Sequence, residues 1–165
     1  MPTMKELIAT LPQVGRVEWI GIRPEREAPL TSVSEVNVTT RNGLEGDHYA
    51  GKSGKRQVTL IQGEHLDAVA SMLGVAAVDP GDTRRNIVVR GINLLALKDR
   101  AISIGSALIE FTDLCHPCSR MEENLGHGGY NAMRGHGGIT ARVLQDGIIR
   151  VGDAVAAWSV ENAED

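Results

Sequence analysis

Aromatic residues are scarce in this 165-residue chain, which has two Trp, two Tyr and one Phe, or 3% in all. The hydrophobic core must therefore be built from Val, Ile, Leu and Ala. Proteins that read single-stranded nucleic acid depend on aromatic side chains on which the bases stack. The composition argues against that class of protein.

An excess of basic charge is also missing. The chain has 17 Lys and Arg residues against 21 Asp and Glu residues, which gives a formal net charge of −4. General binders of nucleic acid or of anionic membranes usually carry the opposite balance. We therefore expect neither nucleic acid nor a membrane as a partner, and any bound anion must be held by a local basic cluster.

Long apolar runs are absent as well. No stretch approaches the ~20 apolar residues that a membrane-spanning helix needs. The first eight residues lack the apolar run and the cleavage-site pattern of a signal peptide. These features predict a cytoplasmic protein, and the length predicts one domain over residues 1–165.

The alternation of apolar and polar residues predicts many short strands and few helices. Two helices are predicted, an N-terminal one over residues 4–11 and a clearer one over residues 63–73 that Gly74 ends. Two short helical pieces are predicted after the cysteines, in a glycine-rich region. The predicted strands cover residues 14–22, 32–40, 56–61, 86–90, 101–104, 107–112, 139–144 and 148–155. This pattern predicts a mainly β fold, a closed or partly open β-barrel of short strands with a few flanking helices.

Sequence motifs for the common redox cofactors are missing. No strand is followed by the glycine pattern of a Rossmann fold or a P-loop, and no cluster of cysteines resembles an iron–sulfur site. We therefore expect no NAD, flavin or Fe–S cofactor of the chain's own.

One predicted strand carries an unusual set of polar side chains, in the segment from Arg84 to Arg90. Alternation along a strand places Arg84, Asn86 and Arg90 on one face and puts Arg85 on the opposite side. Two guanidinium groups and an amide on one face form a candidate receptor for a phosphate-like anion. The same pattern also fits a solvated outer strand face.

A glycine-rich region contains the sequence Gly-His-Gly-Gly twice, at residues 126–129 and 135–138. Between the two copies, residues 130–134 are long enough for about one helical turn. Glycines let backbone N–H groups approach an anion closely. Arg134, Gly135 and His136 are therefore candidate binding residues, although a flexible loop explains the same composition.

The chain has only two cysteines, Cys115 and Cys118. Their spacing is typical of a redox pair, but the flanking strands do not supply the βαβ context of thioredoxin. A zinc site would need two further ligands, for which His127 and His136 are available. Both cysteines are also compatible with a buried core position, and one thiolate is compatible with an open metal site beside an anion-binding region.

Taken in order, several segments resemble the MOSC domain, the module named after the C-terminal part of molybdenum cofactor sulfurase. The resemblance extends over residues 14–158, which we take as the core of the domain. The matching segments are Gly43–His48, Arg56–Leu60, Arg84–Val88, the loop of Cys118, Gly137–Leu144 and Asp146–Asp153.

The resemblance implies a barrel-like fold and a molybdopterin-type molybdenum cofactor whose metal is coordinated by a cysteine. In relatives such as the mitochondrial amidoxime-reducing component, the ligand is the second cysteine of a Cys-x-x-Cys, which corresponds to Cys118. An Arg-x-Asn that helps to hold the cofactor corresponds to Arg84 and Asn86. We add Arg90 to this set, and His48, Arg134 or His136 as sources of protons or of further phosphate contacts.

The resemblance favours a molybdenum-dependent reductase of small N-hydroxylated substrates, with electrons supplied by a separate electron-transfer partner. The alternative is a sulfur carrier, in which Cys118 receives sulfane sulfur from a pyridoxal-phosphate-dependent desulfurase. A zinc-stapled structural domain is a third hypothesis.

Overall fold

The structure is a computed structural model that describes residues 1–48 and 53–159. Its helices are α1 (Met4–Ala9), α2 (Gly63–Leu73), α3 (Arg120–Leu125) and α4 (Gly129–Met133), with 3-10 turns at Pro80–Thr83 and Leu94–Leu97. Its strands are β1 (Gly15–Ile22), β2 (Thr31–Val33), β3 (Glu35–Thr39), β4 (Gly43–Leu44), β5 (Val58–Gln62), β6 (Ile87–Arg90), β7 (Ala101–Ile104), β8 (Ala107–Leu114), β9 (Ile139–Gln145), β10 (Gly147–Arg150) and β11 (Ala154–Ala157).

Seven strands form a closed barrel in the order β11-β7-β8-β9-β5-β6-β1. The barrel closes because β1 pairs with β6 and also with β11, where Gly15 lies opposite Val155. Strand β2 adds to β1 outside the ring, and β3, β4 and β10 form a small separate sheet. The predicted mainly β barrel is confirmed.

The barrel interior is filled by aliphatic side chains. Along β8, Ala107, Ile109 and Phe111 are buried and the residues between them are only partly covered. This alternation is the one expected for a strand with one face on a core. Because burial of a Val, Leu or Ile side chain contributes roughly 1.5–3 kcal/mol, an aliphatic core stabilises the barrel without more aromatic residues.

Helix α2 covers the pair β5 and β6, which are the two parallel neighbours of the barrel. A parallel pair needs a crossover connection, and α2 begins directly after β5 to supply part of it. Leu66 and Val69 of the helix are buried in a second apolar cluster with Ile61 and Val88. The predicted bounds of the helix are confirmed, and Gly74 ends it in the left-handed region at φ 69°.

The structure differs from the predicted strands in two places. The segment predicted as one strand over residues 32–40 is two strands, β2 and β3, which belong to different sheets. The segment over residues 148–155 is likewise divided between β10 and β11 by a turn at Gly152, where φ is 94°. In the second segment Ile149, Val151 and Val155 keep one alternation through the break, so the change of sheet leaves no periodic signal. In the first segment the alternation shifts by one residue between Val33 and Val36, which is where the strand divides.

No helix in the described ranges is long and apolar enough to cross a membrane.

Candidate functional site

Several arginines line a cavity of about 390 Å³ that we call the basic cleft. It is lined by the arginines Arg23, Arg26, Arg56, Arg84, Arg85 and Arg120, together with Glu27, His48, Thr59, Cys115, Cys118 and Met121. The single acidic residue of this lining, Glu27, is paired with Arg120 at 2.7 Å. A chain of net charge −4 therefore has a strongly cationic cavity, which is the local basic cluster that the sequence required for any bound anion.

Five parts of the chain bring these side chains together: residues 23–27, 48, 56–59, 84–85 and 115–121. Arg23 follows β1, and Arg84 and Arg85 immediately precede Asn86 and β6. The segment Cys115–Cys118, called the thiol loop below, follows β8 and leads into α3. The cleft is thus assembled at strand ends, where loop side chains are held by a rigid barrel.

The two cysteines have different environments. Cys115 is buried, with 2% of its surface exposed, and its Sγ lies 3.8 Å from Nη2 of Arg56. Cys118 is exposed. Both line the basic cleft, but only Cys118 offers an accessible thiol.

Arg85 holds the thiol loop in place. Its Nη2 donates hydrogen bonds to the carbonyl oxygens of Cys115 at 3.1 Å and of His116 at 3.3 Å. Its Nε donates to the carbonyl oxygen of Gly137 at 2.7 Å, and its Nη1 to that of Thr83 at 3.0 Å. Burial lowers the pKa of Arg85, and these four carbonyl oxygens partly replace the water that the guanidinium has lost.

Gly137 completes this arrangement from the other side. A Cβ atom at this position would collide with the carbonyl oxygen of Cys115. At Gly138, where φ is +83°, a Cβ atom would collide with the carbonyl oxygen of Leu60. The second Gly-His-Gly-Gly segment therefore lets backbone pack against backbone beside the thiol loop, and only glycine allows this approach.

Asn86 supports the cleft without lining it. Its Oδ1 accepts hydrogen bonds from the backbone nitrogen of Thr59 at 3.3 Å and from Oγ1 of Thr59 at 3.0 Å. Its Nδ2 donates to the carbonyl oxygen of Gly21 at 3.1 Å and to Oδ1 of Asp47 at 3.3 Å. Because these four contacts use the full capacity of the amide, the side chain positions Thr59 and Asp47 and has no group left for a ligand.

Arg23 has a buried donor that no described residue satisfies with a hydrogen bond. The carboxylate of Asp47, whose side chain is 2% exposed, accepts a hydrogen bond from the backbone nitrogen of Arg23 and lies 3.8 Å from its Nε. Among the described residues this buried Nε atom has no hydrogen-bond partner. Buried donors are nearly always paired, so an anionic ligand in the cleft would supply the missing acceptor.

Arg84 is held in an uncommon backbone conformation. It ends the 3-10 turn Pro80–Thr83 in the left-handed region, at φ 61°. Its pKa is lowered, first by burial and then by the neighbouring charges of Arg23 and Arg120. Crowded cations of this kind are stabilised by a bound anion, and strained residues of this kind cluster at binding sites.

The predicted shared face of Arg84, Asn86 and Arg90 does not exist. Strand β6 begins only at Ile87, and the left-handed backbone of Arg84 breaks the alternation before it. Arg85, expected on the opposite side from Arg84, therefore lines the same cleft.

Arg90 lies elsewhere, in a cavity with Val88 and Trp19 at α2. It is paired with Asp67 at 2.7 Å and with Glu18 at 3.1 Å. The hydrogen bond to Asp67 is the main reason that the pKa of Arg90 is raised. The assignment of Arg90 to the cofactor site is therefore corrected, because its charge is satisfied by two carboxylates of the protein.

The glycine-rich candidates are also separate from the basic cleft. Arg134 is exposed, and its Nη1 lies 3.5 Å from Oδ1 of Asn131. Gly135 lines a different cavity, and the ring of His136 packs edge-on against His65 at 5.0 Å. The predicted helical turn is present as α4, but it does not bring these residues to Arg84 or Cys118.

Three arginines of the cleft were not predicted as site residues: Arg23 and Arg26, which precede β2, and Arg120, which begins α3. Arg23, Arg26 and Arg120 lie in segments without periodicity, and only the fold brings them to the thiol loop. Arg56 is the first residue of Arg56–Leu60, a segment that resembles the MOSC domain, and this resemblance was the signal that could have identified it as a site residue. Among residues 1–48 and 53–159, no group of three or more His, Cys, Asp or Glu side chains could hold a metal, so the zinc hypothesis lacks ligands there.

The structure is thus a closed β-barrel with a cationic cleft that contains one exposed thiol. The sequence model of the MOSC domain matches residues 39–156, and the chain therefore belongs to the MOSC domain family.

Solved structures share the fold at low sequence identity. YuaD from Bacillus subtilis is 18% identical with a TM-score of 0.70, over 91% of this chain and 100% of its own. YiiM from Geobacillus stearothermophilus is 18% identical with a TM-score of 0.72, over 88% and 75% of the two chains. YiiM from Escherichia coli is 19% identical with a TM-score of 0.70, over 90% and 71%. No curated protein matches the chain.

The family binds molybdenum cofactor or acts in sulfur transfer, and the residues of the cleft fit such a cofactor. Thiolate is a soft donor that suits a metal with open positions, and Cys118 supplies one. Arginine suits the phosphate of the pterin, and the cleft supplies six. The unpaired Nε of Arg23 is a further donor that an anionic group would satisfy.

Proposed function

We propose that this chain is a molybdenum-cofactor protein that reduces the N–O bond of small N-hydroxylated compounds such as amidoximes. The observation that supports the proposal is the single exposed thiol, Cys118, in a cleft lined by six arginines. In this proposal Cys118 is the protein ligand of molybdenum.

Three arginines of the cleft are proposed to hold the anionic part of the cofactor. Arg84 and Arg23 are partly buried, and Arg56 approaches Cys115 from the facing side. A hydrogen bond to a charged group contributes about 1.5–3 kcal/mol, so two or three such contacts explain retention of a phosphate-bearing cofactor. Asn86 acts through Thr59 and Asp47, which it positions.

The bound cofactor would supply the two-electron chemistry at its metal. The overall reaction takes two electrons and two protons, cleaves the N–O bond, and releases the reduced nitrogen compound and one water molecule. His48 lines the cleft and is exposed to solvent, and we propose it as a route for those protons. The electrons would come from a separate electron-transfer partner, since the sequence has no flavin, NAD or Fe–S motif.

A sulfur carrier is the second candidate function, and the two cysteines favour it. Cys118 is accessible to a desulfurase, and Cys115 lines the same cleft. A persulfide on Cys118 would be an anion among arginines. It would be formed when the Cys118 thiolate attacks the outer sulfur of the partner's persulfide, which breaks the partner's S–S bond and releases the partner's cysteine as a thiolate.

Metal and sulfur analysis of the full chain separates the two functions. We expect molybdenum and a releasable pterin in the wild-type protein, and reduction of an aromatic amidoxime when a chemical reductant is added. Cys118→Ala should lose both, whereas Cys115→Ala should retain most of both. Cyanide-labile sulfur on Cys118 without molybdenum would instead establish the sulfur carrier, and equal loss in the two variants would contradict both functions.

A further inference from the structure

A second cavity, of about 240 Å³, lies on the thiol loop and is called the apolar recess below. Cys115, His116 and Pro117 line the recess, whereas the next residue, Cys118, lines the basic cleft. One short loop therefore separates two cavities, and a molecule in the recess would contact the segment that presents the exposed thiol.

The lining of the recess is opposite in character to that of the cleft. Leu94, Leu95, Leu114 and Ile139 provide most of its walls, and Gly135, Gly137 and Gly138 expose backbone. Within the described part of the chain, no Asp, Glu, Lys or Arg side chain lines it. A charged ligand would lose its hydration there without a counter-charge, which is a large cost.

Three side chains of the lining, Gln62, His65 and His116, can form hydrogen bonds with a neutral ligand, and the first two lie outside the thiol loop. The Oε1 atom of Gln62 accepts a hydrogen bond from the backbone nitrogen of Leu94 at 2.8 Å. The Nε2 atom of the same side chain is a hydrogen-bond donor, and Gln62 lines the recess. His65 also lines the recess, and a neutral imidazole offers one donor and one acceptor.

The surroundings of His65 favour the neutral form of its ring. Burial lowers its pKa, and His136 lowers it further, against a smaller opposing effect of Glu64. The Nδ1 atom of His136 lies 3.1 Å from the carbonyl oxygen of Ala132. Because a carbonyl oxygen can only accept, Nδ1 carries the hydrogen, and the two rings meet edge to face at 5.0 Å.

We propose that the apolar recess is a second ligand site, which binds a neutral one-ring or two-ring aromatic compound carrying an amide-like hydrogen-bonding group. The size is suitable, because an apolar cavity of about 150 Å³ already binds benzene. The amide of Gln62 and the imidazole of His65 would pair with the polar group of the compound. The ring would pack on Leu94, Leu95 and Ile139.

Three probes of nearly the same shape test whether the recess excludes charged ligands: benzamide is neutral, benzamidine is a cation and benzoate is an anion. We expect benzamide to shift the backbone amide NMR signals of Leu95, Gly135 and Gly137 in the full chain at pH 7.5. Benzamidine should bind there about tenfold or more weakly. Benzoate should shift signals of the basic cleft instead.

Matched variants test the location. Leu95 is 50% exposed and lines the recess, and Leu144 is 42% exposed and does not line it. Leu95→Glu should weaken benzamide about tenfold or more, whereas Leu144→Glu should bind as the wild type does. Leu114 is 40% exposed and belongs to the same lining. Leu114→Glu replaces Leu95→Glu in this test if Leu95→Glu does not fold.

The site is overturned if benzamide gives no saturable shifts, if the charged probes bind the recess equally well, or if both recess variants bind like Leu144→Glu. None of these measurements needs molybdenum, so they are independent of the function proposed for Cys118.

Discussion

Nη2 of Arg85 donates a hydrogen bond to the carbonyl oxygen of Cys115 at 3.1 Å. This bond connects Arg85, which precedes β6, to the first residue of the thiol loop. The same guanidinium reaches Gly137 and Thr83 through its other nitrogens. One buried side chain therefore fixes three segments that are far apart in sequence. Lysine has the same charge but a single nitrogen, which cannot reproduce this planar set of contacts.

Arg85→Lys should loosen the thiol loop. We expect the free energy of unfolding to fall by about 1–3 kcal/mol, because buried carbonyl oxygens lose their donors. We also expect the Cys115 thiol, protected in the wild type, to react with a thiol reagent under native conditions. Chemical denaturation and mass-resolved labelling measure the two effects. Arg142→Lys, a change of the same kind outside the cleft lining, is the control, and unchanged Cys115 protection would show that Arg85 does not hold the loop.

The two thiols should differ in reactivity in the wild-type protein. Cys118 is exposed and Cys115 is 2% exposed, so native protein should react rapidly at Cys118 alone and at both thiols after unfolding. Absorbance of a released aryl thiolate follows the reaction. Cys118→Ser should abolish the fast phase, and rapid reaction of Cys115 in that variant would contradict the burial described above.

Arg84→Ala should weaken anion binding in the basic cleft. Loss of one charge-assisted contact costs about 1.5–3 kcal/mol, or about tenfold or more in affinity. Calorimetric titration with a phosphate monoester measures the change. Arg90→Ala is the appropriate control, because Arg90 is held by Asp67 and Glu18 outside the cleft. A similar loss in both variants would remove Arg84 from the binding residues.

The glycine-rich region should respond to acid through Glu122. Hydrogen bonds from the backbone nitrogens of Tyr130 and Gly128 lower the pKa of this carboxyl group. A carboxyl group with a lowered pKa in the folded state contributes stability above its ordinary pKa, and the contribution is lost as the pH falls through the folded value.

We therefore expect the amide NMR signals of Gly128 and Tyr130 to titrate together, with a midpoint below the ordinary value for Glu, about 4.3. Glu122→Gln should remove this titration and leave the signals of distant strands unchanged. A midpoint at the ordinary value would mean that the two hydrogen bonds do not persist in solution.

The sequence was sufficient to predict the barrel, because alternation of aliphatic residues along β8 and β9 indicates one buried face directly. It was also sufficient for helix α2 and for Gly74. It was not sufficient for the basic cleft. Arg23 and Arg26 belong to an irregular segment and Arg120 begins a short helix, and their proximity depends on how strands end around a closed ring. The left-handed backbone of Arg84 was likewise invisible, because arginine gives no sign of a positive φ as glycine does.

The pairing of β1 with β11 has a consequence for folding during synthesis. Gly15 lies opposite Val155, so the barrel cannot close until β11, its last strand in the sequence, has been synthesised. Until β11 emerges from the ribosome, β1 and β7 each lack a neighbour, and unpaired strand edges invite contacts with other chains. Such distant pairing also slows folding. The nascent chain is therefore prone to aggregation until its barrel closes.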